Sequence, residues 1–453
     1  MQIEFGDQRL KRVACSLHTL MVGQQSVCLR KLAGQRSTEV RFGRFLHNPR
    51  VTVDKLIDGV CQGIGERSAE RHVLLIEDTS EINYQAHARR VHGLGTVGNG
   101  VDAGLFIHPV LAVDAQDGSC LGLAHLHLWQ RTQKKAARYR TLPIEDKESH
   151  RWISAIEAAR KRLPQSTELT VMADRESDLY EMWARLPDAR TQLLIRACRD
   201  RAVHTPGAGT LFEWLDALPE LGRYELELPA RAGQRTAHKA LMQVRYAPTR
   251  ILRPKLCSDK NAPDSIELWA IDVREDASTV VGQEAPIHWR LLTTHALNSL
   301  EDALRCVNWY CQRWHIEQTF RTLKKQGLDL ESSLVEEANR LEKLAVLAVS
   351  AAVHTMQLTL AREGHSERPA TDCFKEADQE LLQQVGASLE GKTVKQKNPH
   401  ERHSLAWAAW IVARLGGWKG YASERKPGPI TMSHGLQALH HLRVGWELAR
   451  ATG

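Results

Sequence analysis

Three carboxylates occupy positions where chemistry is possible. Asp78 closes the run HVLLIED and precedes Thr79 and Ser80, and Asp174 closes LTVMAD and precedes Arg175 and Glu176. A carboxylate just past a buried strand is a common ligand position in α/β folds, although a single one is an ordinary turn residue. Two strands ending this way, laid side by side in parallel, bring two acids to one sheet edge. Packed acids repel unless a cation sits between them or one keeps its proton. Oxygen donors of this kind take a hard dication.

The third acid, Glu317, lies in NWYCQRWHIEQTFRTLKKQ. Tyr310, Arg313, Glu317 and Lys324 are spaced by three, four and seven residues. At about 100° per residue they fall within roughly 60° of one another on a helix. Trp309, Ile316, Phe320 and Leu323 form the neighbouring apolar stripe, which faces the core. Glu317 is thus presented beside two cations. An isolated helix with Arg313 and Glu317 at this spacing reads equally as a solvated ion-pair face. The two strand-end aspartates upstream favour a site.

The elements that must position these residues follow from patterning. Residues 1 to about 65 read as short helices, with Arg36, Arg41 and Arg44 interleaved with Phe42 and Phe45. Such a mixture suits phosphate contact and base stacking, or simply a small solvated helical unit. An α/β section follows. Val73–Ile76, Phe106–Val113, Cys120–Trp129, Leu169–Ala173 and Gln192–Ala197 read as strands, with an Asp117-Gly118 hairpin turn. Helices are expected near 149–162 and at Leu179–Leu186. From about 200 to 290 the chain alternates and turns often (Pro206, Gly207, Gly209, Gly222, Pro254), which reads as a β-rich insertion. One long helix is expected from Ser299 to Gln326, and helices thereafter. The division expected is 1–65, 66–335 and 336–453.

The chain has 453 residues, 42% hydrophobic and 25% charged, with a formal charge of +7. That length implies two or three domains, and the mild basic excess fits a polyanionic partner. Nine cysteines, scattered and without a C-x-x-C pair, argue against a disulfide framework or zinc ribbon. The start MQIEFGDQRLKR lacks the apolar core of a secretory signal. Leu344–Leu360, broken by Ser350, His354, Thr355 and Gln357, reads as a buried helix rather than a membrane span. A cytoplasmic protein is expected.

Together these residues closely resemble the DDE transposases of bacterial insertion sequences, in the branch marked Tyr-x2-Arg-x3-Glu-x6-Lys. Tyr310, Arg313, Glu317 and Lys324 give that signature without a gap. IEDTS resembles the context of the family's first acid, at Asp78, and ADRESDLY that of its second, at Asp174. FGDQRL and RFLHNPRV resemble the end-binding helical region, and GLQALHHLRVGWELA the last helix. The resemblance implies an α/β, ribonuclease H-like core with the β insertion before the glutamate helix. It implies flanking helical domains, the C-terminal one for dimerisation.

For function, the resemblance implies a cut-and-paste transposase with two Mg²⁺ ions (Mn²⁺ may substitute), spaced roughly 3.5–4 Å. Asp78 would bridge them, with Asp174 and Glu317 holding one each. Tyr310, Arg313, Lys324 and Arg321 would meet phosphate, Trp289 and Trp314 would stack on an extruded base, and Arg41 and Arg44 lie in the end-binding region. The partners implied are double-stranded DNA, at element ends and target, and a second copy of the chain, cutting in trans. The setting implied is the bacterial cytoplasm, at the nucleoid. An inactive DNA-binding derivative is the alternative. A glycoside hydrolase would not need the basic helix face, and a simple nuclease would not need the long helical C-terminus. Gly93-x-Gly95-x-x-Gly98 follows a polar stretch, so it reads as a mobile loop rather than a dinucleotide fingerprint. His125 with His127, and His400 with His403, read as surface positions rather than ligand pairs.

Overall fold

The computed structural model describes residues 4–131, 139–205, 208–228, 230, 235–257, 259–282, 284–421 and 424–452. The turn expected at Pro206 and Gly207 lies outside them. The chain opens with helices α1 (Gln8–Gln24), α2 (Leu29–Ala33), α3 (Arg36–His47), α4 (Val53–Val60) and α5 (Ile64–Arg67). Side chains of Asp7 and Thr52 cap α1 and α4 by accepting from Arg9 and Lys55 backbone N–H groups. Strands β1 (His72–Glu77), β2 (Ser80–Asn83), β3 (Gly95–Thr96), β4 (Ala103–Asp114) and β5 (Cys120–Trp129) come next. The β4–β5 turn holds Gly118 at φ +73°, a backbone state that favours glycine. Then follow α6 (Arg151–Arg162), β6 (Glu168–Ala173), α7 (Tyr180–Arg185) and β7 (Thr191–Arg196).

Residues of the expected insertion form β8 (Ala202–Thr205), β9 (Ala208–Thr210), α8 (Leu211–Ala217), β10 (Gly222–Leu228), β11 (His238–Leu252) and β12 (Ser265–Glu275), returning through β13 (His288–Thr293). They do not fold apart from the core. The continuous sheet runs β2-β4-β1-β6-β7-β13-β12-β11-β8-β9, so β13 joins the insertion to β7. Within the core, β5, β4 and β1 are antiparallel neighbours, and β1, β6 and β7 are parallel. This mixed sheet with helical flanks is consistent with a ribonuclease H-like core.

β1 is buried on both faces, as a central strand flanked by parallel and antiparallel neighbours must be. Leu74 and Ile76 pack toward the helical side, whereas Val73 and Leu75 pack with Trp152, Ile156 and Trp183 of α6 and α7. Burial of each such side chain contributes roughly 1.5–3 kcal/mol, so the position of the strand's end is firmly set.

The helix expected from Ser299 to Gln326 is two helices, α9 (Leu300–Gln312) and α10 (Trp314–Lys324), with Arg313 between them. A capping box of Ser299 and Asp302 starts α9. At the junction the Arg313 N–H bonds to Tyr310 C=O and the Ile316 N–H to Arg313 C=O, both three residues apart. This tighter pitch re-aims the chain at Arg313. The remaining helices are α11 (Ala338–Ala361), α12 (Gln379–Leu389), α13 (Leu405–Leu415) and α14 (Pro429–Thr452). By length and composition α11 could cross a membrane, but 83% of its apolar window is buried inside the fold. It packs against β5, α1, α3, α4, α10, α13 and α14.

Candidate active site

The two aspartates meet because their strands are parallel neighbours in register. Ile76 of β1 lies opposite Met172 of β6, and each aspartate follows two residues later. Asp78 Oδ1 accepts from the Thr79 N–H at 2.7 Å, and Asp174 Oδ1 from the Glu176 N–H at 3.0 Å. These local bonds hold both carboxylates at the carboxyl end of the sheet.

Glu317 comes from the first turn of α10 and is linked to Asp78 through Arg313. The Arg313 guanidinium donates to Asp78 Oδ2 at 3.2 Å and to Glu317 Oε1 at 2.5 Å. Side chains of Asp78, Arg313 and Glu317 are 18%, 15% and 30% exposed, so the group is open to solvent at its rim.

One arginine does not balance three acids. Burial, then Asp174, push Asp78 up to about 7, and Glu317 adds to that, while Arg313 and the Thr79 N–H oppose it. The donor set is entirely hard oxygen with excess negative charge, which fits divalent cations of the Mg²⁺ class. A folded-state pKa above the ordinary carboxylate range stabilises the metal-free fold at low pH, and that stability is lost as pH rises toward 7. Cation binding needs the deprotonated form. Mg²⁺ affinity should therefore rise with pH through about 7, as a calorimetric titration at several pH values reads directly. An affinity that ignores pH across that range would contradict this.

The other expected site residues are distributed unevenly. Tyr310 is only 5% exposed, and it packs edge-on against Trp289 at 6.0 Å between ring centres. Burial pushes its hydroxyl up to about 12, with Arg313, Arg196 and Asp174 among the charges that act on it. On the face drawn from helical spacing, Tyr310 is buried beneath while Arg313 and Glu317 are partly exposed at the rim. Lys324 pairs with Glu331, at 3.7 Å. Arg321 is exposed and lies over the Trp314 ring, 4.8 Å from its centre. Arg41 and Arg44 are exposed on α3. Phe42 and Phe45 between them are core residues at 0% and 3% exposure, so they are closed to base stacking.

Several participants escaped sequence reasoning. Behind Asp78, Glu77 and His108 are fully buried and bonded, Oε2 to Nε2, at 3.0 Å. His108 Nδ1 meets Thr79 Oγ1 at 2.9 Å, and that oxygen also accepts from Arg151 Nε at 2.8 Å. Burial raises Glu77 and lowers His108, which disfavours the charged form of each. A glutamate at the end of an apolar run was its one sequence signal. Arg196, at the end of β7, feels Asp174 and Tyr310 and adds a half-buried cation beside the acids.

The weaker sequence signals resolve as structure. Gly95 and Gly98 N–H groups are tied to Gln130 and Glu81, so the loop is pinned. His125 is bonded to Arg162, at 3.1 Å, and His127 stacks on Trp129, so these are half-buried packing residues rather than surface ones. His403 meets Gln379 at 3.1 Å. Among the described residues no disulfide joins any of the nine cysteines. A cavity of about 500 Å³ is lined by residues including His18, Arg67, His354 and Arg443, and by none of the three acids.

A family model described as a transposase DDE domain matches residues 107–353, slightly more than half of the chain. The matched span includes Asp174 and Glu317 and begins beyond Asp78.

Proposed function

The chain belongs to the DDE transposases, metal-dependent enzymes that cut DNA, and from that premise we propose that it binds the terminal inverted repeats of its own element, cleaves there, and joins the freed 3′-hydroxyl ends to target DNA. The observation that carries this reading is the placement of Asp78 and Asp174 side by side on parallel strands in register, with Arg313 bridging Asp78 to Glu317. In this reading the three carboxylates hold the cations. Divalent cations there supply activation of the attacking oxygen and stabilisation of charge on the leaving one. Phosphate approaching the acids exchanges carboxylate for phosphate contacts on Arg313, whose planar fork suits both. Lys324 and Arg321 extend the same positive edge, and Arg196 steadies the ring end of Tyr310. Trp289 and Trp314 are assigned to an extruded base, and Arg41 and Arg44 to phosphates of the element end.

The N-terminal helices are assigned to end recognition and the C-terminal helices to pairing two protomers across two ends. DNA carrying the element's terminal repeats should be bound with or without divalent cation and cut only with Mg²⁺ or Mn²⁺. Cutting that persists in excess chelator would sink the reading. Phosphate contact has its own test. Lys324→Ala and Arg313→Ala should each weaken DNA binding and reduce the slope of log affinity against log salt by about 1. Equal slopes for variant and wild type would remove those residues from the phosphate-contact set.

A further inference from the structure

The opposite ends of β1 and β6 carry a second constellation. His72 opens β1 and Glu168 opens β6, and the two residues are register partners. His295, just past β13, completes the group. Six residues separate His72 from Asp78 along the chain, about 20 Å at strand rise, so this cluster is distinct from the three acids. Glu168 faces both imidazoles, with His72 Nδ1 and His295 Nδ1 each 3.6 Å from one of its oxygens. That is too long for a hydrogen bond. It is close to the roughly 3.4 Å between two ligands about 2.1 Å from a shared tetrahedral ion. Across the group, one donor atom from each residue lies within 4.8 Å of the other two.

The far side of each imidazole is fixed. His72 Nε2 and His295 Nε2 meet the same Thr170 Oγ1 at 2.7 and 2.8 Å. A threonine oxygen has two lone pairs and can accept from both rings. With both Nε2 atoms protonated, each Nδ1 lone pair faces Glu168, the outer-shell arrangement usual for metal-binding histidines. Trp309 of α9 packs on both rings, with centres 4.8 Å from His72 and 5.2 Å from His295. Burial lowers both histidines, His295 to about 4, with Arg305 acting in the same direction and Glu168 opposing it at His72. Side-chain exposures of 21%, 38% and 14% leave an entry path.

We propose that His72, Glu168 and His295 form a transition-metal site of the Zn²⁺ class, with water completing the coordination, that staples the base of β1 and β6 to the segment after β13. Two imidazoles and one carboxylate suit Zn²⁺ and disfavour Mg²⁺. Through Trp309 the staple bears on α9, the helix that leads to Arg313 and Glu317. Its role is structural, and the ion stabilises the folded chain by binding it in preference to the unfolded one.

The test is a Co²⁺ titration of the chelator-stripped full-length protein in excess Mg²⁺, followed by visible absorption and thermal melting. Tetrahedral nitrogen-ligated Co²⁺ absorbs strongly, whereas carboxylate-bound Co²⁺ does not. One equivalent should produce the band and raise the melting temperature. His295→Ala and the isosteric Glu168→Gln should weaken binding at least about 100-fold, and Thr170→Val about 10- to 100-fold. Asp78→Ala should keep the band. No band in wild type, unchanged affinity in Glu168→Gln, or loss of the band in Asp78→Ala would each overturn the site.

Discussion

Asp78→Asn is expected to abolish DNA cleavage and, at the same time, to stabilise the metal-free protein above pH 7. Both effects have one cause. Asp78 sits buried beside Asp174 and Glu317, and that surrounding pushes its pKa up to about 7. A tenfold change in proton affinity is worth about 1.4 kcal/mol, so the rise from the ordinary carboxylate range amounts to at most about 4 kcal/mol. Asparagine mimics the neutral form and removes that cost, and its oxygen still accepts from the Thr79 N–H. Losing a ligand oxygen forfeits several kcal/mol of charge stabilisation during phosphoryl transfer, on the order of 10³-fold in rate or more. Urea melts at pH 8 in chelator, paired with a cleavage assay in Mg²⁺, measure both. A variant that is inactive but less stable would point to a damaged fold instead.

Asp178→Ala, only four residues beyond Asp174, should have a different phenotype: a loss of about 3–5 kcal/mol of stability. The Asp178 side chain is fully buried. It accepts from the backbone N–H groups of Cys198 and Arg199, from Trp183 Nε1 and from the Arg201 guanidinium. Arg201 is itself only 4% exposed, so removing its partner strands a buried charge. Denaturant unfolding of Asp178→Ala measures the loss. A change below about 1 kcal/mol would mean that Arg201 finds solvent or another acid.

Much of the architecture was legible because it is local. Strands at 73–76 and 169–173 are compact apolar runs, each followed closely by the aspartate that parallel pairing brings to one sheet edge. The capped helices and the Asp117-Gly118 hairpin are likewise written in neighbouring residues. The helix break at Arg313 was not legible, since side-chain spacing looks the same when one turn tightens. Nor did the motif ADRESD tell which aspartate reaches solvent at the sheet edge and which pins Arg201. That depends on β7 and the residues after it, some twenty positions away. The Glu77–His108 pair and the His72–Glu168–His295 group join strands far apart in sequence, and only the pairing of β1 with β4 and β6, and of β7 with β13, brings them together. The insertion read correctly as β-rich, but its fusion to the core sheet through β13 is a matter of register that alternation leaves open.

Whether Asp78, Asp174 and Glu317 form one cation-dependent cutting site is tested most directly on linear DNA carrying the element's terminal repeats, with Mg²⁺, by comparing wild type with Asp174→Ala. Wild type should cut at the element ends and expose 3′-hydroxyls, while the variant binds the same DNA and leaves it intact. Cutting by Asp174→Ala at the wild-type rate would break the site apart. Specific binding by wild type without cutting, in Mg²⁺ or Mn²⁺, would make the protein an inactive DNA-binding derivative of its family.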